Sequence, residues 1–222
     1  MSVTSARYSV IYAYMNTMKK RSLLLILPLA ALLVAGSAFY MYRHFRLKVE
    51  NGAFHGVLYD ETAPGISLTD HNGERLSLSD LRGKVVLLFF GYTHCPDICP
   101  TTLLKLKRVV TLLRESEDRV RVVFITVDPE RDNPNRLKAY IPYFGKEFVG
   151  LTGSMGDIEK VAGAYNVIYK KEYDEDSKLE YLMGHTSSVY LIDPEGKLLL
   201  RYSQGKLDPA WVAEDIKKIL DR

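Results

Sequence analysis

Cys95 and Cys99 are the only cysteines of the chain, and they fall inside Gly91-Tyr92-Thr93-His94-Cys95-Pro96-Asp97-Ile98-Cys99-Pro100. Two sulfurs this close in sequence can exchange a disulfide with a partner or hold a soft metal ion. A purely structural cross-link is the weaker reading, because closing so short a loop removes little entropy from the unfolded chain. Reversible redox chemistry and soft-metal binding both remain open, and the pair by itself does not choose between them.

The flanking residues dictate how the sulfurs are held. Residues 85–90 (Val-Val-Leu-Leu-Phe-Phe) form an unbroken apolar run with the β-branched and aromatic content of a buried central strand. Beyond the cysteines, Leu103, Leu104, Leu106, Val109, Val110, Leu112 and Leu113 recur at helical spacing. Proline has no N–H and is tolerated in a helix only in the first turn, so Pro100 marks the helix start, with Asp97 as the expected N-cap. Cys95 then lies in the loop and Cys99 in the first helical turn, where free N–H groups and the helix dipole favour a thiolate.

The remaining elements follow from the same signals. Residues 66–70 and 74–78 alternate about Asn72-Gly73, a hairpin signal, and residues 54–59 offer a further strand ahead of them. Residues 120–127 read as a second buried strand, so strand, helix and strand make a parallel pair with a right-handed crossover. A helix is expected over 134–144, ended or kinked by Pro142, then a short strand at 148–151 and a helix at 157–165 with Ser154 or Gly156 near its start. An exposed hairpin insertion pairs 166–171 with 179–183 about an acidic turn, and a strand, tight turn and strand follow over 187–202. Asp208 caps a last helix expected to bury Trp211, Val212, Ile216, Ile219 and Leu220. The order defines an α/β chain with a thioredoxin-like fold, a central mixed sheet flanked by helices, bearing an N-terminal hairpin and a mid-chain hairpin insertion.

The N-terminus is of another composition. The first 49 residues hold no Asp or Glu but seven basic residues, so of 30 Lys and Arg against 27 Asp and Glu the remainder keeps 23 against all 27, and the basic character belongs to the N-terminus. No basic patch interleaved with aromatics is present, which argues against nucleic-acid binding. Residues 22–42 carry no charge and are long enough to cross a hydrocarbon core of roughly 30 Å. Lys19-Lys20-Arg21 ahead of them place that end in the cytoplasm and the folded domain outside. The length favours a retained anchor over a cleaved signal peptide, for which Ala35-Gly36-Ser37-Ala38 would supply the small residues. The expected organisation is a short cytoplasmic segment over 1–21, a transmembrane anchor over 22–42, a linker and lead-in over 43–64 and the thioredoxin-like domain over 65–222. Residues 1–14 read as an over-extended start, since Met15 or Met18 would open a more ordinary one. Outside the cytoplasm two cysteines oxidise unless a reducing partner or a metal holds them.

A third donor is His185, between Gly184 and Thr186 and just before the penultimate strand. A lone loop histidine is usually a surface residue, but in a thioredoxin-like arrangement this loop packs on the cysteine turn. An ordinary oxidoreductase of that fold would show Cys-x-x-Cys and a proline in this loop; here the spacing is one residue longer and Gly184-His185-Thr186-Ser187 contains no proline. Two thiolates and an imidazole suit Cu(I) and can hold Cu(II), whereas zinc would be left with an open position. Asp128 and Asp132, at the carboxyl end of the second strand, read equally as helix caps and as partner-docking residues. His94 reads as packed or hydrogen-bonded rather than as a ligand, and His71 as solvent-exposed.

Cys95-Pro96-Asp97-Ile98-Cys99-Pro100, Asp128-Pro129-Glu130-Arg131-Asp132 and His185 together closely resemble the Sco (SenC) proteins, over roughly residues 65–220 plus the single anchor. The resemblance implies a membrane-tethered copper-binding protein that helps assemble the binuclear copper centre of cytochrome c oxidase subunit II, and which takes its metal from a copper donor protein. Carried onto this sequence, it makes Cys95, Cys99 and His185 the copper ligands and Cys95–Cys99 the redox-active disulfide. An aspartate often precedes the ligand histidine in that family; here Gly184 stands there, removing a carboxylate that could tune affinity and proton coupling. A bacterial inner membrane is favoured over a mitochondrial one, because residues 1–18 hold one Arg and make a poor transit peptide. The rival functions are a thiol–disulfide oxidoreductase that reduces the cysteines of that subunit, and a copper or redox sensor. If residues 22–42 anchor the chain, it stays with membranes through an alkaline carbonate wash and an external protease reaches residues beyond Glu50; a soluble mature protein beginning near Ala38 would refute the anchor.

Overall fold

The computed structural model describes residues 32–42, 54–173 and 180–221 and divides into two compact units, Met1–Glu50 and Asn51–Arg222. In the first unit residues 32–42 form a helix (α1). Among the described residues no helix is long and apolar enough to cross a membrane, and residues 22–31 of the expected anchor lie outside them.

The second unit is built on an eight-stranded mixed sheet. Its strands are β1 (Val57–Thr62), β2 (Ser67–Asp70), β3 (Arg75–Ser77), β4 (Val85–Gly91), β5 (Val120–Thr126), β6 (Phe148–Thr152), β9 (Val189–Ile192) and β10 (Lys197–Tyr202), while β7 (Tyr169–Glu172) and β8 (Leu182–His185) pair as a separate two-stranded sheet. The large sheet runs β1-β10-β9-β4-β5-β6-β2-β3. β4, β5 and β6 are parallel, from Val85 opposite Val120 to Gly91 opposite Thr126, and every flanking pair is antiparallel. Every residue of β4 is buried, as its apolar run requires of a strand covered on both faces. The parallel centre sets the carboxyl ends of β4 and β5 side by side, so the turns that follow them must meet.

The helices are α2 (Ile98–Leu113), α3 (Pro134–Tyr140), α4 (Met155–Ala164) and α5 (Pro209–Leu220). α2 packs on α5, and α3 on β6. Pro142 ends α3 as expected, and a short 3-10 turn, Ile141–Tyr143, takes over. Ser154 caps α4 in a reciprocal box with Asp157, and Asp208 caps α5 by accepting from the Ala210 and Trp211 amides. The expected helix stripes hold except at two places. Leu104 is 58% exposed and Trp211 47% exposed; Trp211 leaves the core to stack on His55, with ring centroids 5.2 Å apart and 7° between planes.

Both hairpins form, β2 with β3 and β7 with β8; the acidic turn of the second lies outside the described residues. The lead-in before residue 65 contributes β1 as the edge partner of β10. It is fastened by Asp215, buried in α5, which accepts from the His55 and Gly56 amides and from the Tyr202 hydroxyl. His71 is not on open surface as the hairpin position suggested: it is half-buried and its Nδ1 accepts from the Gly150 amide at 3.1 Å, which stitches the hairpin turn to β6.

At Gly91, where β4 hands over to the cysteine turn, an added Cβ would stand 2.9 Å from the Phe124 ring and 3.0 Å from Cys99 Sγ. Gly91→Ala is therefore expected to lower the unfolding free energy by about 1–3 kcal/mol and to displace Cys99; denaturant unfolding indistinguishable from the parent would show that this close approach is not a constraint.

Candidate metal and thiol centre

The turn after β4 carries both sulfurs to one place. α2 begins at Ile98, so Cys99 lies in its first turn beside Pro100, and Cys95 lies in the loop. Asp97 occupies the cap position, yet its side chain takes no backbone N–H; it accepts from the Thr101 hydroxyl at 3.3 Å instead. The amide of Cys99 points at Cys95 Sγ, 3.4 Å away. Cys99 is fully buried and Cys95 half-buried, and both are free thiols.

His185 comes to the same point from the other sheet. It is the last residue of β8, on a strand rather than in a loop, and its Nε2 lies 3.4 Å from Cys99 Sγ. Its Nδ1 is 3.1 Å from the Thr186 carbonyl, which can only accept, so Nδ1 carries the hydrogen and in the neutral ring Nε2 turns its lone pair toward the sulfur. The ring is packed edge-on by Phe89 at 6.2 Å and Tyr92 at 5.9 Å.

The two thiols are not equivalent. Cys95 is held well below the usual thiol range, chiefly by the hydrogen bond it accepts from Cys99, with the amides of Cys99 and Asp97 adding to it against the opposing effect of burial. Cys99 is pushed up, because it is the donor of that bond and is buried beside a thiolate. One proton thus serves two sulfurs. Tyr92 is pushed up to about 12, first by burial, with the charge of the two cysteines adding to it.

The aspartates after β5 do not cap α3, and both are buried. Asn133, not Asp132, caps α3, accepting from the Arg136 amide. Asp132 is 0% exposed and takes the Thr93 amide at 2.8 Å, the Thr93 hydroxyl at 2.6 Å and the Thr126 hydroxyl at 2.7 Å. It therefore ties the residue two before Cys95 to the end of β5. Asp128 accepts from the Tyr181 hydroxyl at 2.8 Å and from Arg131 Nε at 2.5 Å. Nothing in the sequence distinguished these carboxylates from caps, since the partners come from other segments. His94, with Nδ1 3.2 Å from the Thr93 hydroxyl, stands beside this network.

An open cleft of about 260 Å³ lies over the centre, and its lining includes Tyr92, Cys95, Ile98, Glu172, Gly184 and His185. At Gly184 the space for a side chain is already filled: a Cβ there would stand 2.7 Å from Glu172 Oε1. A carboxylate thus does lie beside the residue preceding His185, supplied from β7 and bridged to Lys170 at 3.0 Å.

Two sulfurs and an imidazole nitrogen are soft and borderline donors. Donors bonded to one ion at about 2.0–2.3 Å stand roughly 3.5–3.8 Å apart, close to the 3.4 Å between Cys99 Sγ and His185 Nε2. Among the described residues no group of three His, Cys, Asp or Glu is already arranged to hold a metal ion, so the contacts on which an ion would build are pairwise.

A thioredoxin-like sheet with two unequal thiols on a strand-to-helix turn and a histidine facing them defines a paired-thiol protein with a candidate soft-metal site. The chain belongs to the SCO1/SenC family, whose model matches residues 60–221. An SCO2-like protein of Rickettsia conorii is 35% identical over 180 residues, covering 80% of this chain and 88% of that protein. The crystal structure of Arabidopsis thaliana ScoI with copper bound is 37% identical with a TM-score of 0.66, covering 72% of this chain and 99% of that one. BsSco, in which a disulfide switch was identified and which is a member of the Sco family of cytochrome c oxidase assembly proteins, is 28% identical with a TM-score of 0.59, covering 74% and 96%.

The inequality of the thiols predicts their reactivity. Cys95 is expected to alkylate with iodoacetamide at a rate nearly flat from pH 6 to 8, about the span over which a free thiol's thiolate fraction rises steeply, while Cys99 stays protected until the fold opens. Equal rates at both sulfurs, measured by mass spectrometry, would refute the shared-proton arrangement.

Proposed function

We propose that this chain is a membrane-anchored copper metallochaperone in which Cys95, Cys99 and His185 hold copper as cargo. The observation that carries the reading is that the Cys99 amide meets Cys95 Sγ and Cys99 Sγ meets His185 Nε2, beneath an open cleft lined by Cys95 and His185. Soft donors of this kind suit copper, and three of them leave the ion accessible to an incoming thiolate. Copper bound in a relative of the same fold supports it. Binding releases the one proton the two sulfurs share, because both must be thiolates; transfer is then an exchange of ligands in which a partner's thiolates take up the ion, the two cysteines recover one proton between them, and no electrons move.

The recipient we propose is subunit II of cytochrome c oxidase, at its binuclear copper centre, with copper reaching this chain from a donor protein; the assembly role of BsSco supports that assignment. The uncharged run over residues 22–42 would tether the domain to a bacterial inner membrane with the cleft facing away from the cytoplasm. A second reading, reduction of the subunit's cysteines by the same pair, is favoured by the free thiols and the low-lying Cys95 thiolate.

The reduced domain after Glu50 is expected to bind one copper per chain, with a thiolate-to-copper charge-transfer band when loaded with Cu(II). Cys95→Ser or Cys99→Ser should nearly abolish binding, since a hydroxyl is a hard donor that stays protonated at neutral pH. His185→Ala should leave a weaker two-sulfur site, and His55→Ala should leave copper binding unchanged. Equal affinity and an identical spectrum for His185→Ala would remove His185 from the site and return the chain to the oxidoreductase reading.

A further inference from the structure

We propose that Arg131 is the positioning residue for His185: its guanidinium is the wedge that fixes the two-stranded β7–β8 sheet, and so the imidazole at its end, against the cysteine turn. The proposal rests on the copper-site reading of His185. Its support is geometric. β8 is not part of the main sheet, and its partner is β7, so the large sheet's hydrogen-bonded ladder does not fix where His185 stands. Residues 186–188 tie His185 to β9, but so short a link does not set the angle of the β7–β8 sheet against the cysteine turn, which leaves a role for contacts outside both sheets.

Arg131 occupies the gap. Its Cζ lies 3.6 Å from the centre of the Tyr181 ring, which leads into β8, and 5.8 Å from the centre of the Tyr92 ring, which leads from β4 toward the cysteines. Tyr92 in turn packs edge-on against His185 at 5.9 Å. The guanidinium therefore touches an aromatic ring from each half of the site, an arrangement in which a planar cation is attracted to both faces.

The wedge is itself fixed. Arg131 Nε donates to Asp128 at 2.5 Å, and its Nη1 donates to the Tyr181 carbonyl at 3.0 Å. The Tyr181 hydroxyl donates to the other oxygen of the same aspartate at 2.8 Å, which closes a ring of three residues. Beside it Lys171 of β7 reaches Glu130 at 2.6 Å and lies 4.5 Å from the Tyr181 ring. Residues 128–131 thus hold the hairpin through three side chains, and Asp132, next in the chain, holds the cysteine turn through Thr93. One loop after β5 grips both halves. Arg131 is mostly buried and its Nη2 has no hydrogen-bond partner among the described residues, a cost that stacking and the Asp128 contact must offset.

The experiment is a cycle of variants on the reduced domain after Glu50, with copper affinity and the Cu(II) charge-transfer spectrum as readouts. Arg131→Met keeps an apolar stem and removes the wedge. It should weaken copper about 10–100-fold, the loss found when a residue orienting a metal ligand is removed, and shift the spectrum toward that of His185→Ala. In the His185→Ala background the same substitution should cost nothing further, because it acts only through the imidazole. Arg131→Lys should recover part of the loss, and Tyr181→Leu, which removes the ring on the hairpin side, should reproduce it if Arg131→Met fails to fold. Equal losses with and without His185 would show that Arg131 supports the fold or the cysteines instead, and overturn the proposal. Unchanged copper binding in His185→Ala would instead refute the copper-site reading beneath it.

Discussion

A carboxylate shut off from water, Asp132, receives the amide and hydroxyl of Thr93 and the hydroxyl of Thr126. Thr126 closes β5, and Thr93 opens the turn after β4, so this one group joins the carboxyl ends of two parallel strands just where the cysteines begin. A buried carboxylate with several donors is costly to assemble and more costly to break, because each donor left behind would be buried without a partner. Arg136, reaching Thr93 from α3 at 2.9 Å, adds a cation to the same point. The loop from Thr93 to Cys95 is therefore anchored at its start by long-range contacts and at its end by the start of α2. The sulfurs inherit that rigidity.

What the anchored turn produces is asymmetry. Cys99 is buried within the first turn of α2 and Cys95 faces the cleft, so the exposed sulfur holds the charge and the hidden one holds the proton. This division follows first from the hydrogen bond that Cys99 donates to Cys95 and then from the deeper burial of Cys99, since a thiolate is stabilised where donors reach it and destabilised in an apolar interior. An incoming metal or disulfide meets the thiolate first. The second sulfur engages only once its proton leaves.

Local signals carried most of the fold. The buried run of β4, the Pro100 helix start, the Asn-Gly hairpin and the Ser154 and Asp208 caps each depend on neighbours in sequence, and each element formed with ends shifted by a few residues. The meeting of the candidate residues was legible too: the two cysteines from their spacing, and His185 from its place before β9. What stayed hidden depends on partners distant in the chain. His71 accepts from Gly150, Trp211 stacks on His55, and Asp128 answers Tyr181; none of these pairs leaves a local pattern. Asp132 shows the reason most plainly: an aspartate just before Asn-Pro looks like a cap, and only the parallel register of β4 with β5 turns it inward.

On the proposed copper-carrier reading, the placement of His185 on a small separate sheet has a functional logic. A carrier must hold its ion tightly enough to keep it and loosely enough to surrender it, and three donors on one rigid frame would favour retention. Here the sulfurs belong to the main sheet's rigid turn, while the imidazole sits on a two-stranded hairpin whose stability as an isolated element would be marginal. Withdrawal of the imidazole would leave copper on two sulfurs, one of them at the cleft mouth, with a coordination position free for a partner's thiolate. On the copper-carrier reading the order of release would be set by architecture: the nitrogen first, Cys95 at the cleft next and the buried Cys99 last.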